Sequence, residues 1–272
     1  MKSDITILLL LYKTPIKLLK NFSAYKKFNI IVLDQSNDKA FKKELIRILP
    51  NIQSYNLSKK NYGFGKGINT LVKKVKTKYF FSTQADVSIT EKAIIELKKT
   101  ILNNSKNAAI VVPLLNKKTL YKKHKKDNEF VIKNMIGATF FANKKKFVEL
   151  GMFDEDFFFY WEDVELSNRI NQSKYKIFIN KRSKAIHKNS SSSINSLKID
   201  CIRNKNFIFG EILYDYKVKK MRVLKIIRKL IQNLLFFFFN IILFRLKRAR
   251  ICLAKLSGIL KFLKFYIKDK KN

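Results

Sequence analysis

Apolar positions in the first 210 residues fall in short runs separated by helical patterns, the alternation that builds an α/β domain. Ile5–Leu11 reads as a buried strand, and Pro15 is placed to open the helix after it. Ile30–Leu33 is a second strand, closed by the turn formers Asp34-Gln35-Ser36-Asn37-Asp38, and Tyr55–Leu57 is a candidate third. Within Lys66–Val75, Ile68, Leu71, Val72 and Val75 share one helical face. Tyr79–Ser82 is a strand that runs into Gln84-Ala85-Asp86, and Glu91–Leu102 is an amphipathic helix. Ala108–Val112 is expected to be a strand stopped by Pro113, and Ile136–Ala142 another. Lys144–Leu150 is a helix that Gly151 can terminate. Ligands of such sheets gather at the carboxyl ends of the strands. Asp34 and Asp86 both fall just past strand ends, which puts two acids on one rim.

The pattern changes after about Tyr216, so the expected organisation is an α/β domain over 1–215 and a helical segment over 216–272. From Lys217 to the end there are 17 Lys plus Arg and one acid, Asp269. Leu230–Phe244 is apolar for 15 residues apart from Gln232, Asn233 and Asn240, with Arg228-Lys229 before it and Arg245, Lys247 and Arg248 after it. A membrane span wants about 20 apolar residues, which this run does not reach. Val223, Ile227, Leu230 and Leu234 recur at helical spacing. Leu256, Ile259, Leu260, Leu263 and Ile267 do the same, with Lys255, Lys261 and Lys264 between them. Basic amphipathic helices of this kind lie in the interface of an anionic bilayer. The alternatives are a helical cap on the main domain and a true span through 230–244.

At 272 residues and 47% apolar composition the chain has ample core and is no disordered tail. Its formal charge of +38 calls for an anionic partner, whether nucleic acid, membrane surface or phosphorylated ligand. Lys, Asn, Ile and Phe are enriched together, so much of that charge also fits solvated lysine without specific purpose. Cys201 and Cys252 are too few and too distant for a disulfide framework or a Cys-based zinc site, and a reducing compartment fits. The run after Lys2 is short for a signal peptide and Tyr12-Lys13-Thr14-Pro15 offers no cleavage site, which favours the strand.

Against so basic a background the acids are informative. Six of the 20 carboxylates, Asp154, Glu155, Asp156, Glu162, Asp163 and Glu165, fall between Phe153 and Glu165. They surround Phe157, Phe158, Phe159, Tyr160 and Trp161, the last being the only tryptophan. Glu162 and Asp163 are expected in the first turn of a helix, where the dipole favours the ionised form. A carboxylate kept ionised beside aromatic rings can take a proton from a bound hydroxyl. A non-catalytic nucleic-acid or polyanion binder would leave this cluster unexplained and repelling phosphate.

Three further features are weaker alone. "NYGFGKGIN" (Asn61–Asn69) brings three alternate glycines beside Lys66, but it is neither a P-loop nor a dinucleotide fingerprint, and a tight turn before a helix explains it equally. Asp86 suits Mg²⁺ or Mn²⁺ shared with a diphosphate, or capping of the helix near Glu91. His187 is one of two histidines, the other being His124 in a Lys-rich stretch.

Taken together and in this order, these pieces resemble the inverting family 2 glycosyltransferases with a GT-A fold (a Rossmann-like, mostly parallel mixed sheet with flanking helices), especially the rhamnosyltransferase-like branch. The resemblance runs from about Ile5 to Phe209 and is most specific over "IGATFFANKKKFVELGMFDEDFFFYWEDVELSNRI". It implies that Tyr12, Thr14 and Asp34 contact the nucleotide, that Gly63, Gly65, Lys66, Asn69 and Gln84 line the nucleotide-sugar site, and that Asp86 and His187 hold Mg²⁺ or Mn²⁺. It further implies that Asp163 is the catalytic base, with Glu162 and Trp161 beside the acceptor. Gln84 stands where the family's metal motif has its first acid, which leaves Asp86, the diphosphate and His187 to hold the metal, or a transfer that needs none. The implied partners are a nucleoside diphosphate sugar, a lipid-linked or oligosaccharide acceptor and an anionic membrane surface. The implied location is cytoplasmic, peripheral on the inner face of the plasma membrane.

Overall fold

Ile5–Leu11 forms β1, and its run, apolar but for Thr6, follows from burial on both faces of a parallel sheet. β2 (Asn29–Asp34) lies parallel on one side of it and β4 (Tyr79–Thr83) on the other, with β3 (Ile52–Leu57) outside β2. Beyond β4 the sheet becomes mixed. β8 (Thr139–Asn143) runs antiparallel to both β4 and β6 (Ala108–Leu115), and β6 runs parallel to β9 (Lys176–His187). The short strands β5 (Val87–Ile89) and β7 (Glu129–Ile132) pair antiparallel with β9. The path is β3-β2-β1-β4-β8-β6-β9-β5, with β7 off it.

This computed structural model describes residues 4–116, 127–188, 192–194 and 196–271; His124 lies outside them. The chain divides into two compact units, Met1–Asp154 with Leu166–Ile194, and Glu155–Glu165 with Asn195–Asn272. The expected boundary at 215 falls in the last turn of α6 (Leu197–Val218).

In the first unit a 3-10 helix (Ile16–Tyr25), α1 (Lys39–Ile48), α2 (Phe64–Lys74), α3 (Glu91–Asn103) and α4 (Lys144–Glu149) connect the strands. Asp38, Thr90 and Asn143 each accept a bond from the backbone amide three residues on, which starts α1, α3 and α4. Thr90, not Asp86, is therefore the cap of α3. Alternate strand residues supply the two faces. Ile7, Leu9, Phe81 and Tyr25 belong to one large core. The other face stacks Phe80, Phe140, Phe147 and Phe153, with neighbouring ring centroids 5.2 to 6.0 Å apart.

Three strand limits differ from the expectation, and the first is β3, which begins at Ile52, three residues before Tyr55. β6 continues through Pro113, because its pairing with β9 shifts register between Pro113 and Leu114, where a missing N–H is tolerated. β8 starts at Thr139, three residues late, and Ile136 is exposed. α5 (Glu162–Gln172) begins where expected.

The second unit contains α6, α7 (Val223–Ile242) and α8 (Leu246–Lys271). Its core joins Phe157 to Phe209, Ile212 and Leu213 of α6 and to Ile259 and Phe262 of α8. α8 buries Ala249, Cys252, Leu256, Ile259 and Phe262, whereas Leu260, Leu263 and Ile267, expected on the same stripe, are exposed. No helix among the described residues is long and apolar enough to cross a membrane.

α6 and α8 approach so closely at Gly258 that a Cβ there would sit 2.4 Å from the Lys205 carbonyl oxygen. Backbone cannot swing away as a side-chain tip can. Gly258→Ala should destabilise the protein by about 1–3 kcal/mol, read as a lower urea midpoint. An unchanged midpoint would show that the two helices are not held at this spacing.

Candidate functional site

The parallel strands end on one rim, and the expected nucleotide contacts gather there. Asp34 closes β2 and is 1% exposed. Its Oδ1 accepts from the Ser36 amide at 2.8 Å and the Ser36 hydroxyl at 2.5 Å, and its Oδ2 from the Tyr55 hydroxyl at 3.3 Å. Burial, then the Asp34 charge, raises the Tyr55 phenol above its ordinary value. Tyr12 and Thr14 follow β1 in the adjacent loop, and the buried Thr14 hydroxyl has no hydrogen-bond partner among the described residues. Gln35 was not singled out from the sequence. It is buried and ties this rim to the glycine loop, accepting from the Tyr62 amide and donating to the Gly63 carbonyl. A polar residue next to Asp34 at a strand end was the available signal.

The three glycines of "NYGFGKGIN" have separable reasons. Gly63 precedes α2 with φ +82°, a conformation L side chains avoid. A Cβ on Gly65 would meet Phe153 Cβ at 3.0 Å, and one on Gly67 would meet Leu10 at 2.7 Å. These two let α2 close onto Phe153 and β1. Asn69, 2% exposed, donates to the Phe153 carbonyl at 2.8 Å and accepts from the Phe153 amide at 3.1 Å. Lys66 is exposed.

At the next strand end, β4 turns through Gln84 and Asp86 into β5. The Gln84 amide donates to Ala138, and the Gln84 carbonyl accepts from Val87. Asp86 is fully buried. The β5–β9 pairing sets His187 opposite Val87, which brings its Nε2 to 3.5 Å from Asp86 Oδ2. That separation is long for a hydrogen bond and suits two donors facing one cation. Among the described residues no three or more His, Cys, Asp or Glu side chains form a group that could hold a metal. An ion here would need most of its oxygens from a ligand and water, as Mg²⁺-type sites commonly do. The pair fits such an ion.

In the second unit the acid–aromatic segment leads into α5. Tyr160 and Trp161 both have positive φ, +68° and +75°. Their rings contact α6: Trp161 lies 5.5 Å from Tyr214 and 5.8 Å from Phe207, and Tyr160 lies 5.6 Å from Phe207. Trp161 Nε1 and Glu162 Oε2 are buried with no hydrogen-bond partner among the described residues. Glu162 departs from the expectation of an ionised first-turn acid. Burial first, and the neighbouring Asp163 second, push its carboxyl well above the usual range, so desolvation outweighs the helix dipole. Asp163 is half-buried at the helix start, and its Oδ1 accepts from the Val164 amide. Asp156 instead bridges to Lys217.

A parallel edge that presents Asp34, Asp86 and a glycine-led helix at its carboxyl end, completed by a mixed half, defines a GT-A-like α/β protein. Residues 10–165 match Glycosyl transferase family 2, and the chain belongs to that family. No curated protein sequence matches it. Among solved structures it is similar to GalNAc-T7 with UDP, GalNAc and Mn²⁺, at 14% identity and a TM-score of 0.55, covering 76% of this chain and 47% of that one. It is also similar to the mannosyltransferase PcManGT from Pyrobaculum calidifontis in complex with GDP-Man and Mn²⁺, at 11% identity and a TM-score of 0.59, covering 97% and 88%. The chain thus spans about half the length of the GalNAc-T7 structure. At these identities the likeness is one of fold.

Above about pH 4.3 an unfolded glutamate loses its proton, while folded Glu162 keeps it. The folded state then binds more protons, so this group's contribution is full below that pH and is lost as pH rises through its folded value. Glu162→Gln should therefore gain stability relative to the parent as pH rises from about 4.3 toward the raised folded value of Glu162, measured by urea midpoints. A pH-independent difference would mean that Glu162 titrates as a solvated acid.

Proposed function

We propose that the chain is an inverting glycosyltransferase, carrying a hexose-type sugar from a nucleoside diphosphate to a hydroxyl of a lipid-linked saccharide in cell-envelope polysaccharide assembly. Rhamnose is the sugar to test first, on the strength of the branch resemblance. The observation that carries the reading is the Trp161-Glu162-Asp163 constellation at the start of α5, in a chain of Glycosyl transferase family 2. It combines strained backbone, two buried polar atoms without partners among the described residues and a half-buried carboxylate.

Tyr12, Thr14 and Asp34 bind the nucleotide, which accounts for the buried Thr14 hydroxyl. Gly63, Lys66 and Gln84 border the donor, and Gly65 and Asn69 serve it by holding Phe153. The acceptor hydroxyl lies against Trp161 and Glu162, with neutral Glu162 able to donate as well as accept. Asp163 removes the hydroxyl proton as the oxygen attacks the anomeric carbon. The bond from that carbon to the diphosphate breaks on the opposite face, and its electron pair leaves with the diphosphate oxygen. Asp86 and His187 would hold a divalent ion, Mg²⁺ or Mn²⁺, which when bound supplies Lewis-acid stabilisation of the departing charge. The nucleotide and Mn²⁺ in the two similar structures support both assignments. We assign the reaction to the cytoplasmic face of the plasma membrane.

Asp163→Asn should lower turnover by about 10²- to 10⁴-fold while nucleotide binding, followed by calorimetry, persists. Turnover near that of the parent would refute the assignment of the base. Asp86→Ala and His187→Ala should each weaken Mn²⁺ binding in the presence of a nucleoside diphosphate by more than about tenfold, read by electron paramagnetic resonance without any turnover. Unaltered Mn²⁺ affinity in both variants would remove the metal from the proposal.

A further inference from the structure

α7 is built inside out. Its most buried positions, Asn233 and Asn240, and the half-buried Lys225 and Lys229 are polar, with Ile226 and Phe237 beside them, while most of its outward positions are large and apolar. Asn233 and Asn240 are 7% and 8% exposed, whereas Leu235 is 65% and Ile242 73% exposed. A water-facing helix has the opposite arrangement. The inward polarity is satisfied within this unit. Lys225 bridges to Glu211 and Asp215 of α6, and Lys229 to Glu211. The two asparagine amides donate to carbonyls four residues back, at Lys229 and Phe236. The outward face therefore cannot be turned in without breaking these bridges.

Water is a poor solvent for that face, and the surrounding charge indicates the right one. Arg222 and Arg228 flank its start and Arg245, Lys247 and Arg248 its end, all exposed, and Asp269 is the only acid after Asp215. A second copy of this chain would bring like charge against like charge; an anionic phospholipid surface would neutralise it. Spanning is excluded by length and polarity. The apolar part of α7, Leu230–Ile242, rises about 20 Å, short of the roughly 30 Å hydrocarbon core. We propose that α7 lies flat in the interface of an anionic bilayer, its Ile231, Leu235 and Phe238 side immersed and the basic residues at its two ends on lipid phosphates.

The test is co-sedimentation of the full chain with vesicles of phosphatidylcholine, with and without phosphatidylglycerol. It needs neither donor nor acceptor, so it stands or falls apart from the transferase reading. The parent should bind the anionic vesicles. Ile231→Glu, Leu235→Glu and Phe238→Glu together should abolish binding with circular dichroism unchanged. Arg245→Gln, Lys247→Gln and Arg248→Gln should weaken it about fivefold per charge removed. The inward variant Asn240→Ala should bind as the parent does. Vesicle binding that survives the three glutamates overturns the proposal. So does a lipid-free dimer, seen by light scattering, that those glutamates dissociate, because the face would then belong to a second copy.

Discussion

Two hydrogen bonds between the Asn69 amide and the backbone of Phe153 fix the point from which the acid–aromatic segment departs. A side-chain amide that satisfies both polar groups of one residue acts as a surrogate strand partner, and its burial makes it hard to replace. The clamp requires α2 to come within contact distance of Phe153. That is why Gly65 has no room for a Cβ, and why Phe153 is keyed into the ring stack with Phe140 and Phe147. Arg169 adds to this anchor from α5 by donating to the Leu150 and Met152 carbonyls. The place where the chain leaves the sheet unit is thus set by packing within that unit.

The residues that follow meet an electrostatic problem. Glu162 and Asp163 are adjacent carboxylates at a helix start, and Glu162 is buried. Two charges cannot both be kept cheaply so close together in a poorly hydrated place. Leaving the more buried group protonated relieves the repulsion and keeps a hydroxyl donor on Glu162. The sequence alone, which locates both residues in the first turn, suggests equal ionisation. Only burial breaks the tie.

Much of the fold was legible because its strands are apolar runs and its helices carry caps. β1, β2, β4, α2, α3, α4 and the start of α5 lie where the pattern puts them, to within a residue or two. β9 was not legible, since "KIFINKRSKAIH" interleaves basic residues with apolar ones and owes its structure to partners on both sides. The meeting of His187 with Asp86 depends on β5–β9 register, so the family resemblance implies it but no local pattern in the sequence does. The carboxyl-end placement of Asp34 and Asp86 needed only the strand ends and was readable. The engagement of Asn69 with Phe153 is a contact between distant segments and left no local trace.

The backbone at Tyr160 and Trp161 shows how such a site is kept. Left-handed conformations cost non-glycine residues roughly 1–2 kcal/mol each, and two in succession need support. Gly210 of α6 supplies the room: a Cβ there would stand 2.8 Å from the Tyr160 carbonyl oxygen and 3.1 Å from Trp161 Cδ1. Phe157 is sunk in the same core at 1% exposure, which fixes the other side of the turn. A bare Cα thus faces each end of the segment, Gly65 at Phe153 and Gly210 at Tyr160. Glycine is scarce in this chain, with seven in 272 residues, and two of them pack against this one 13-residue stretch where a Cβ would collide with its backbone or side chains. Aromatic side chains hold that path by packing, and the carboxylates are carried along it.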